Sequence, residues 1–366
     1  MSEAPPAVPD SRAVLAAGLV RRAERRWLLI GLGAILLLLA VVASLALGVE
    51  TLSFGQAVRA LCSPILPRSW TAGIDPVQVA VLQNLRLPRA AMAIVAGAGL
   101  SSAGAALQGI TRNPLVSPYT LGVSWAAAFG ASIAILLGLD QVVGLGLYLT
   151  VLFSFISALI CAALILGFSA LRGVNSILLV LGGVGLNYLF NALTDTVRFV
   201  ATEQQLSAMV QWSFGSLNGR TWDEVAIAGV VVALVIPVLS AHAWALNAFA
   251  AGGDEAAAAL GFAVGRTRAI VTMASVLATA AVVSFTGVIA FVGLVGPHIA
   301  RMLIGGDHRT LLPFSAIVGA LLVLIADTIG RVAFAPVVIP VGIVVAYIAV
   351  PLFLHLLFMR RRELQL

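Results

Sequence analysis

The sequence has no lysine: all 21 basic residues of its 366 are arginine. That absence excludes chemistry outright. A Walker A phosphate loop needs a lysine on the terminal phosphates, and a Schiff-base nucleophile needs a lysine amine. The chain is therefore not itself a P-loop ATPase. Charge of either sign is scarce, at 10% of residues where soluble domains carry roughly 25%. The two cysteines, Cys62 and Cys161, lie in unlike segments with no metal-ligand spacing, which excludes a disulfide scaffold and a thiolate metal site. His298 and His308 stand near each other, but no further Cys, Glu or His completes a metal shell. No His-Glu-x-x-His or nucleophile elbow is present. Nothing here is built for covalent chemistry.

What the sequence has in excess is apolar surface. Hydrophobic residues make up 61%, and the mean hydropathy is +1.09. Such a chain cannot hide itself in one water-soluble core. A membrane helix needs about 20 apolar residues to cross roughly 30 Å of hydrocarbon. Ten candidates satisfy this: 27–48, 86–108, 116–138, 143–168, 175–199, 222–242, 267–286, 288–304, 311–330 and 340–359. The expected fold is an all-α polytopic membrane protein. Residues 1–26 form an N-terminal tail, 27–359 the membrane domain and 360–366 a C-terminal tail. The span 288–304 is short and interrupted by Gly296-Pro297, which predicts a broken helix.

Arginine orients the chain. With ten spans both ends share a side, and 14 arginines fall there. The other side receives seven: Arg59, Arg68, Arg86, Arg89, Arg198, Arg220 and Arg331. Cytoplasmic termini follow from the positive-inside rule. The arginines are scattered between spans rather than clustered, which argues against nucleic acid as a partner.

Several short segments stand out. Arg86-Leu87-Pro88-Arg89 opens the second expected span on the outer side, its two arginines on one helix face. They are either snorkelling interfacial residues or a docking point for acidic groups on an external partner. Asp327 and Arg331 are four apart near the outer end of the ninth span, where an embedded acid needs a partner. Gly97, Gly99 and Gly104 allow close helix approach. Asn187, Tyr188, Asn191 and Thr194 bring polar atoms into the fifth span, lining either a helix seam or an aqueous path. On the cytoplasmic side, the loop 243–266 contains Asp254-Glu255, four alanines and Leu260-Gly261. Acids at its start and glycine at its end suit a short capped helix; a helix across the membrane face is also what a motor protein would push upon.

Taken in order, Arg-Leu-Pro-Arg at 86–89, Arg-Asn-Pro-Leu at 112–115, Trp212-Ser213-Phe214-Gly215-Ser216-Leu217, Leu260-Gly261, Gly293 to Arg301, Asp307-His308-Arg309 and Ala326-Asp327 resemble the FecCD family of permeases. That family serves ATP-binding-cassette (ABC) importers of iron-siderophores, haem and cobalamin. The resemblance implies the type II importer permease fold, a dimer with the path at its interface, two cytoplasmic ATPase subunits, and an external substrate-binding protein. The second permease subunit is either an identical copy or a related chain. It also implies roles. Arg86, Arg89 and Arg331 would meet glutamates of the binding protein. Asp254, Glu255, Leu260 and Gly261 would couple to the ATPase. Asn175 and Ser176 would stand at the inner gate, with Asn187, Tyr188 and Asn191 on the path-lining helix. No cofactor is expected on this chain; ATP and Mg would belong to the partner ATPases. The expected function is ferric siderophore import by alternating access at a bacterial inner membrane, with cobalamin or haem as alternative cargo. A secondary transporter is the alternative class, and the scarcity of mid-span carboxylates argues against it.

Overall fold

The computed structural model describes residues 11–47, 55, 58–59, 75–171 and 176–360. Asn175, Cys62, Arg68 and the tail 361–366 lie outside them. The described residues are helical, with no strand among them. In chain order the helices are α1 (Ser11–Ala46), α2 (Pro76–Val81), α3 (Leu87–Thr111), α4 (Val123–Leu136), α5 (Gly146–Leu171), α6 (Ser176–Val200), α7 (Glu203–Ser213), α8 (Trp222–Ala241), α9 (Ala243–Ala259), α10 (Val264–Thr286), α11 (Val292–Ile304), α12 (His308–Val332) and α13 (Val341–Arg360).

Each expected span coincides with a helix, but several ends move. Six stretches, within α1, α2–α3, α5, α8, α10 and α12, are long and apolar enough to cross a membrane. The regions of α4, α11 and α13 are shorter and apolar, while α6 carries the polar set around Asn187. The N-terminal tail is helical from Ser11, so α1 reaches 36 residues. The third span contracts to α4, because residues 112–122 form turns after Arg112, whose left-handed backbone (φ 52°) ends α3.

Two expectations are corrected. Arg86 and Arg89 do not open their helix: it starts at Pro76, capped by Asp75, which accepts from the Val77 N–H at 2.9 Å. The helix then passes through a π-helical turn at Leu82–Arg86 into α3. Proline at the first helical position and an Asx cap are the local reason. Likewise α11 is not broken at Pro297. Pro297 is its sixth residue, past the four N-terminal N–H groups that have no intrahelical partner, so the helix runs on with one backbone hydrogen bond, to the Gly293 carbonyl, forgone.

The helix α3 is the axis of the bundle, buried along nearly all of its length from Ala90 to Thr111. Hydrophobic collapse cannot join helices within lipid, so they associate by close packing of small residues. Gly97 faces Gly319 of α12 so closely that a Cβ on either would overlap the other's backbone carbonyl, and a Cβ on Gly104 would overlap the Gly293 carbonyl of α11. The glycine run is thus the seam on which α11 and α12 dock. One helix lay unread in the sequence, and another was read only in its second half. The helix α7 begins with a capping box, in which Thr202 and Gln205 satisfy each other's backbone N–H groups. The helix α9 starts at Ala243, well before Asp254, and changes direction at Gly253 (φ 76°, ψ −154°).

Candidate functional site

The chemistry-bearing residues gather at the two ends of the bundle. At one end, α3, the C-terminal part of α12 and the end of α1 converge on Asp327, which is 1% exposed. Arg89 Nε donates to both its carboxylate oxygens, at 2.9 and 3.0 Å, and Nη2 lies 2.8 Å from Oδ1. Arg89 Nη1 reaches Asn218 Oδ1 at 3.1 Å. Arg331 Nε approaches Asp327 Oδ2 at 3.4 Å, while Nη2 donates to the Ser44 carbonyl at 2.8 Å and Nη1 to that of Leu47 at 3.2 Å. Arg86 Nη1 donates to the Leu45 carbonyl at 2.7 Å. Two arginines thus hold one carboxylate and Arg86 joins them at the same pocket, so the three arginines and Asp327 leave a formal excess of two positive charges. They line an open pocket of about 310 Å³ with Leu85, Asn218 and Val338.

The three arginines singled out in the sequence are therefore brought together, in unequal settings. Arg89 is 8% exposed and turned inward; Arg86 and Arg331 are half-buried. The i,i+4 pairing of Asp327 with Arg331 exists, but the stronger partner is Arg89, far away in sequence.

At the opposite end, the junction of α11 and α12 carries Asp307. Its carboxylate accepts from Arg26 Nη1 of α1 at 3.0 Å, Asn247 Nδ2 of α9 at 2.9 Å and Arg309 Nη2 at 2.8 Å. Chiefly through the Arg309 side-chain hydrogen bond, this holds the Asp307 carboxyl well below the usual carboxylate range, although burial opposes the shift. Asn247 Oδ1 accepts the His308 backbone N–H at 2.8 Å. Asp307 and Asn247 consequently fasten the first half of α9 to the start of α12. The Asp307-His308-Arg309 motif marked one member of this hub, but nothing in the local sequence pattern signalled its partners Arg26 and Asn247, which come from distant helices.

Past Gly253 the second half of α9 carries the coupling candidates. Asp254 pairs through both oxygens with the fully buried Arg268 of α10, at 2.5 Å (Oδ1–Nη2) and 3.2 Å (Oδ2–Nη1). Glu255 is exposed. Leu260 caps the helix and is 68% exposed, an apolar side chain projecting from the end of the bundle. Gly261 follows with φ 84°. The residues Asp254, Glu255, Leu260 and Gly261 thus form one elbow.

The path candidates divide. On α6, Tyr188 is 74% exposed, whereas Asn187 and Asn191 are half-buried. Asn187 lies against Gly122, with its Oδ1 buried and unpartnered. Thr194 is buried and donates to the Phe190 carbonyl at 2.7 Å, so its hydroxyl is satisfied within the helix. Ser176 is the first residue of α6.

The profile of the FecCD transport family matches residues 36–360. The chain belongs to that family. An ABC transporter permease protein of Methanocaldococcus jannaschii is 40% identical over 88% of this chain and 92% of its own length. The Fe(3+)-citrate import system permease protein of Bacillus subtilis is 35% identical over 94% and 98%. A solved metal-chelate type ABC transporter in an inward-facing conformation superimposes with a TM-score of 0.79, at 33% identity, over 90% of this chain and 99% of that one. Other relatives are named for haemin in Yersinia pestis and cobalamin in Halobacterium salinarum. This FecCD chain is therefore a multi-pass permease subunit of an ABC importer, a transport component and not an enzyme, with the type II importer permease fold.

Proposed function

We propose that this FecCD permease carries a ferric siderophore from an external binding protein into a bacterial cytoplasm. It works in the inner membrane as one half of a permease dimer, with both termini and the Asp307 end cytoplasmic. The arginine-rimmed Asp327 end then faces outward. Its excess positive charge suits glutamates on the two lobes of a binding protein, with Arg86 and Arg331 on the rim and Arg89 holding the pocket together through Asp327. Asn175 and Ser176 stand at the inner gate, and α6 with Asn187, Tyr188 and Asn191 lines the path. A path with few charges suits a bulky chelate, released rather than held. ATP and Mg are bound by two partner ATPase subunits.

The observation that carries this reading is the division of labour between the ends. A positive pocket sits at one end, and the Asp254–Gly261 elbow with its outward Leu260 sits at the other. A motor shifts a conformational equilibrium only through contacts that differ between states, and Leu260 is placed to make one. The similarity to an iron-citrate permease favours iron chelates as cargo.

Radio-iron uptake from a panel of ferric siderophores, in cells with and without the gene, tests the cargo. Loss for one siderophore class supports it. Unchanged uptake across the panel sinks it and moves the assignment to haem or cobalamin. Leu260→Asp tests the coupling: uptake should stop while binding-protein docking persists, and normal uptake in that variant refutes the elbow's role.

A further inference from the structure

Two neighbouring pockets lie on the flank formed by α5, α8 and α10. The first, about 280 Å³, lies toward the Asp327 end among Asp140, Thr150, Trp212, Arg220, Ser284 and Phe285. The second, about 230 Å³, follows the helices between Tyr148, Leu152, Phe155, Ile227, Val231 and Ala281. Ser284 and Phe285 line both. Tyr148, Leu152 and Ile227 are exposed at 41%, 49% and 48%, so the second pocket is a groove open sideways, where a membrane helix meets lipid.

The first pocket sets a few polar groups in a mainly apolar lining, and those groups are incompletely satisfied. Asp140 Oδ1 is buried without a hydrogen-bond partner, and so is Oγ of Ser284, a residue 1% exposed. A buried oxygen left unpaired costs free energy, more so beside hydrocarbon. Arg220 Nε donates to the Asn218 carbonyl at 3.3 Å and Nη1 to that of Phe285 at 2.5 Å, with Glu224 Oε2 3.1 Å from Nη1. No hydrogen bond from its Nη2 is found among the described residues. Two carboxylates and one guanidinium leave an excess of negative charge, which disfavours a net anionic ligand. What completes the pocket is an N–H donor for Asp140, an anionic oxygen for Arg220 and an apolar tail for the groove.

We propose that these two pockets together bind a phospholipid with a primary-ammonium headgroup. Its ammonium donates to Asp140, its phosphate accepts from Arg220, and one acyl chain lies along the groove between Tyr148 and Ala281. A choline headgroup carries the same charges but no N–H, so it leaves the Asp140 oxygen unpaired. A glycerol headgroup brings net negative charge beside Asp140 and Glu224.

The full chain, purified in detergent, is mixed with phosphatidylethanolamine, phosphatidylcholine or phosphatidylglycerol of identical acyl chains, and retained lipid is counted by native mass spectrometry. One phosphatidylethanolamine per chain is expected, retained at least fivefold over either competitor. Asp140→Asn, which removes the charge, and Val231→Trp, which fills the groove, should each lower that retention about fivefold. Equal retention of the three lipids by the unaltered chain identifies unselective annular contact and overturns the proposal. So does unchanged retention in both variants. The comparison within the unaltered chain decides the matter even if a variant fails to fold.

Discussion

Arg89 of α3 and Asp327 of α12 form a buried two-pronged ion pair between positions 238 residues apart in sequence. The pair ties the central helix of the bundle to the helix against which its glycine seam packs. Arg331 and Arg86 then spread from this anchor to the last turns of α1.

Breaking one side of such a pair leaves a charge stranded where water is excluded, at a cost of about 3–5 kcal/mol, whereas removing both partners together is often nearly neutral. Asp327→Asn is therefore expected to lower the thermal midpoint of the purified permease sharply. The double variant Arg89→Met/Asp327→Leu should recover most of the loss. Thermal unfolding in detergent, read by intrinsic fluorescence, checks both. If the double variant is as unstable as the single, the pair is not what ties the two helices.

The contrast between this pair and the i,i+4 reading of Asp327 with Arg331 shows where sequence reasoning runs out. Hydropathy located the six helices long and apolar enough to cross a membrane, because apolar run length is a property of each segment alone. The partner of Asp327 is set by how α3 and α12 cross, and no local pattern carries that. The partners of Asp307 in its hub were missed for the same reason, since Arg26, Asn247 and Asp307 meet only after folding. The helix α7 differs: its Thr202-x-x-Gln205 capping box was legible, but its polar composition put it outside a search for apolar spans. The three arginines were found through motif resemblance, yet the inward turn of Arg89 was not. Asn187 and Tyr188 are adjacent in sequence, but packing against Gly122 half-buries one and leaves the other open.

The glycine seam makes a sharper prediction than propensity does. A Cβ at Gly97 or Gly319 overlaps backbone of the facing helix, and backbone cannot swing aside as a side chain can. Gly97→Leu should destabilise by at least about 3 kcal/mol, at the severe end of overpacking. Gly31 of α1 has open space around its missing side chain, so Gly31→Ala should gain up to about 1 kcal/mol from reduced chain entropy. Expression level and thermal midpoint of the two variants should move in opposite directions. A folded Gly97→Leu chain of ordinary stability would show that α3 and α12 are not so closely apposed.

Asp307 gives a pH signature whose sign follows from its lowered pKa. A carboxyl held low when folded and ordinary when unfolded contributes stability that is fully present above its unfolded value of about 3.9. That contribution drains away as pH falls toward the folded value. The thermal midpoint of Asp307→Asn should lie below that of the unaltered chain by a constant margin between pH 8 and pH 5. The margin should shrink only below about pH 4. A margin that closes between pH 7 and pH 5 would mean another group titrates there and the hub is not held by this carboxylate.

Gly253 separates stability from coupling. Its φ of 76° and ψ of −154° fall in a region open essentially to glycine alone, and a Cβ there would stand 2.9 Å from Arg112 Nη1. The bend it creates redirects α9 between the Asn247 clamp and the Asp254–Arg268 pair, and so sets where Leu260 projects. An alanine at this position costs about 1–3 kcal/mol of backbone strain, which the chain relieves most simply by straightening α9. Straightening moves Leu260 while leaving the core around α3 untouched. Gly253→Ala is thus expected to cut ATP-driven uptake about tenfold in reconstituted vesicles, with binding-protein docking unchanged and the thermal midpoint lowered only modestly. Gly261→Ala serves as the comparison: its φ is also positive, but open space surrounds it and it lies beyond Leu260, so its effect on uptake should be smaller. If both variants lose uptake equally, or if Gly253→Ala transports normally, the direction of the α9 elbow does not control coupling.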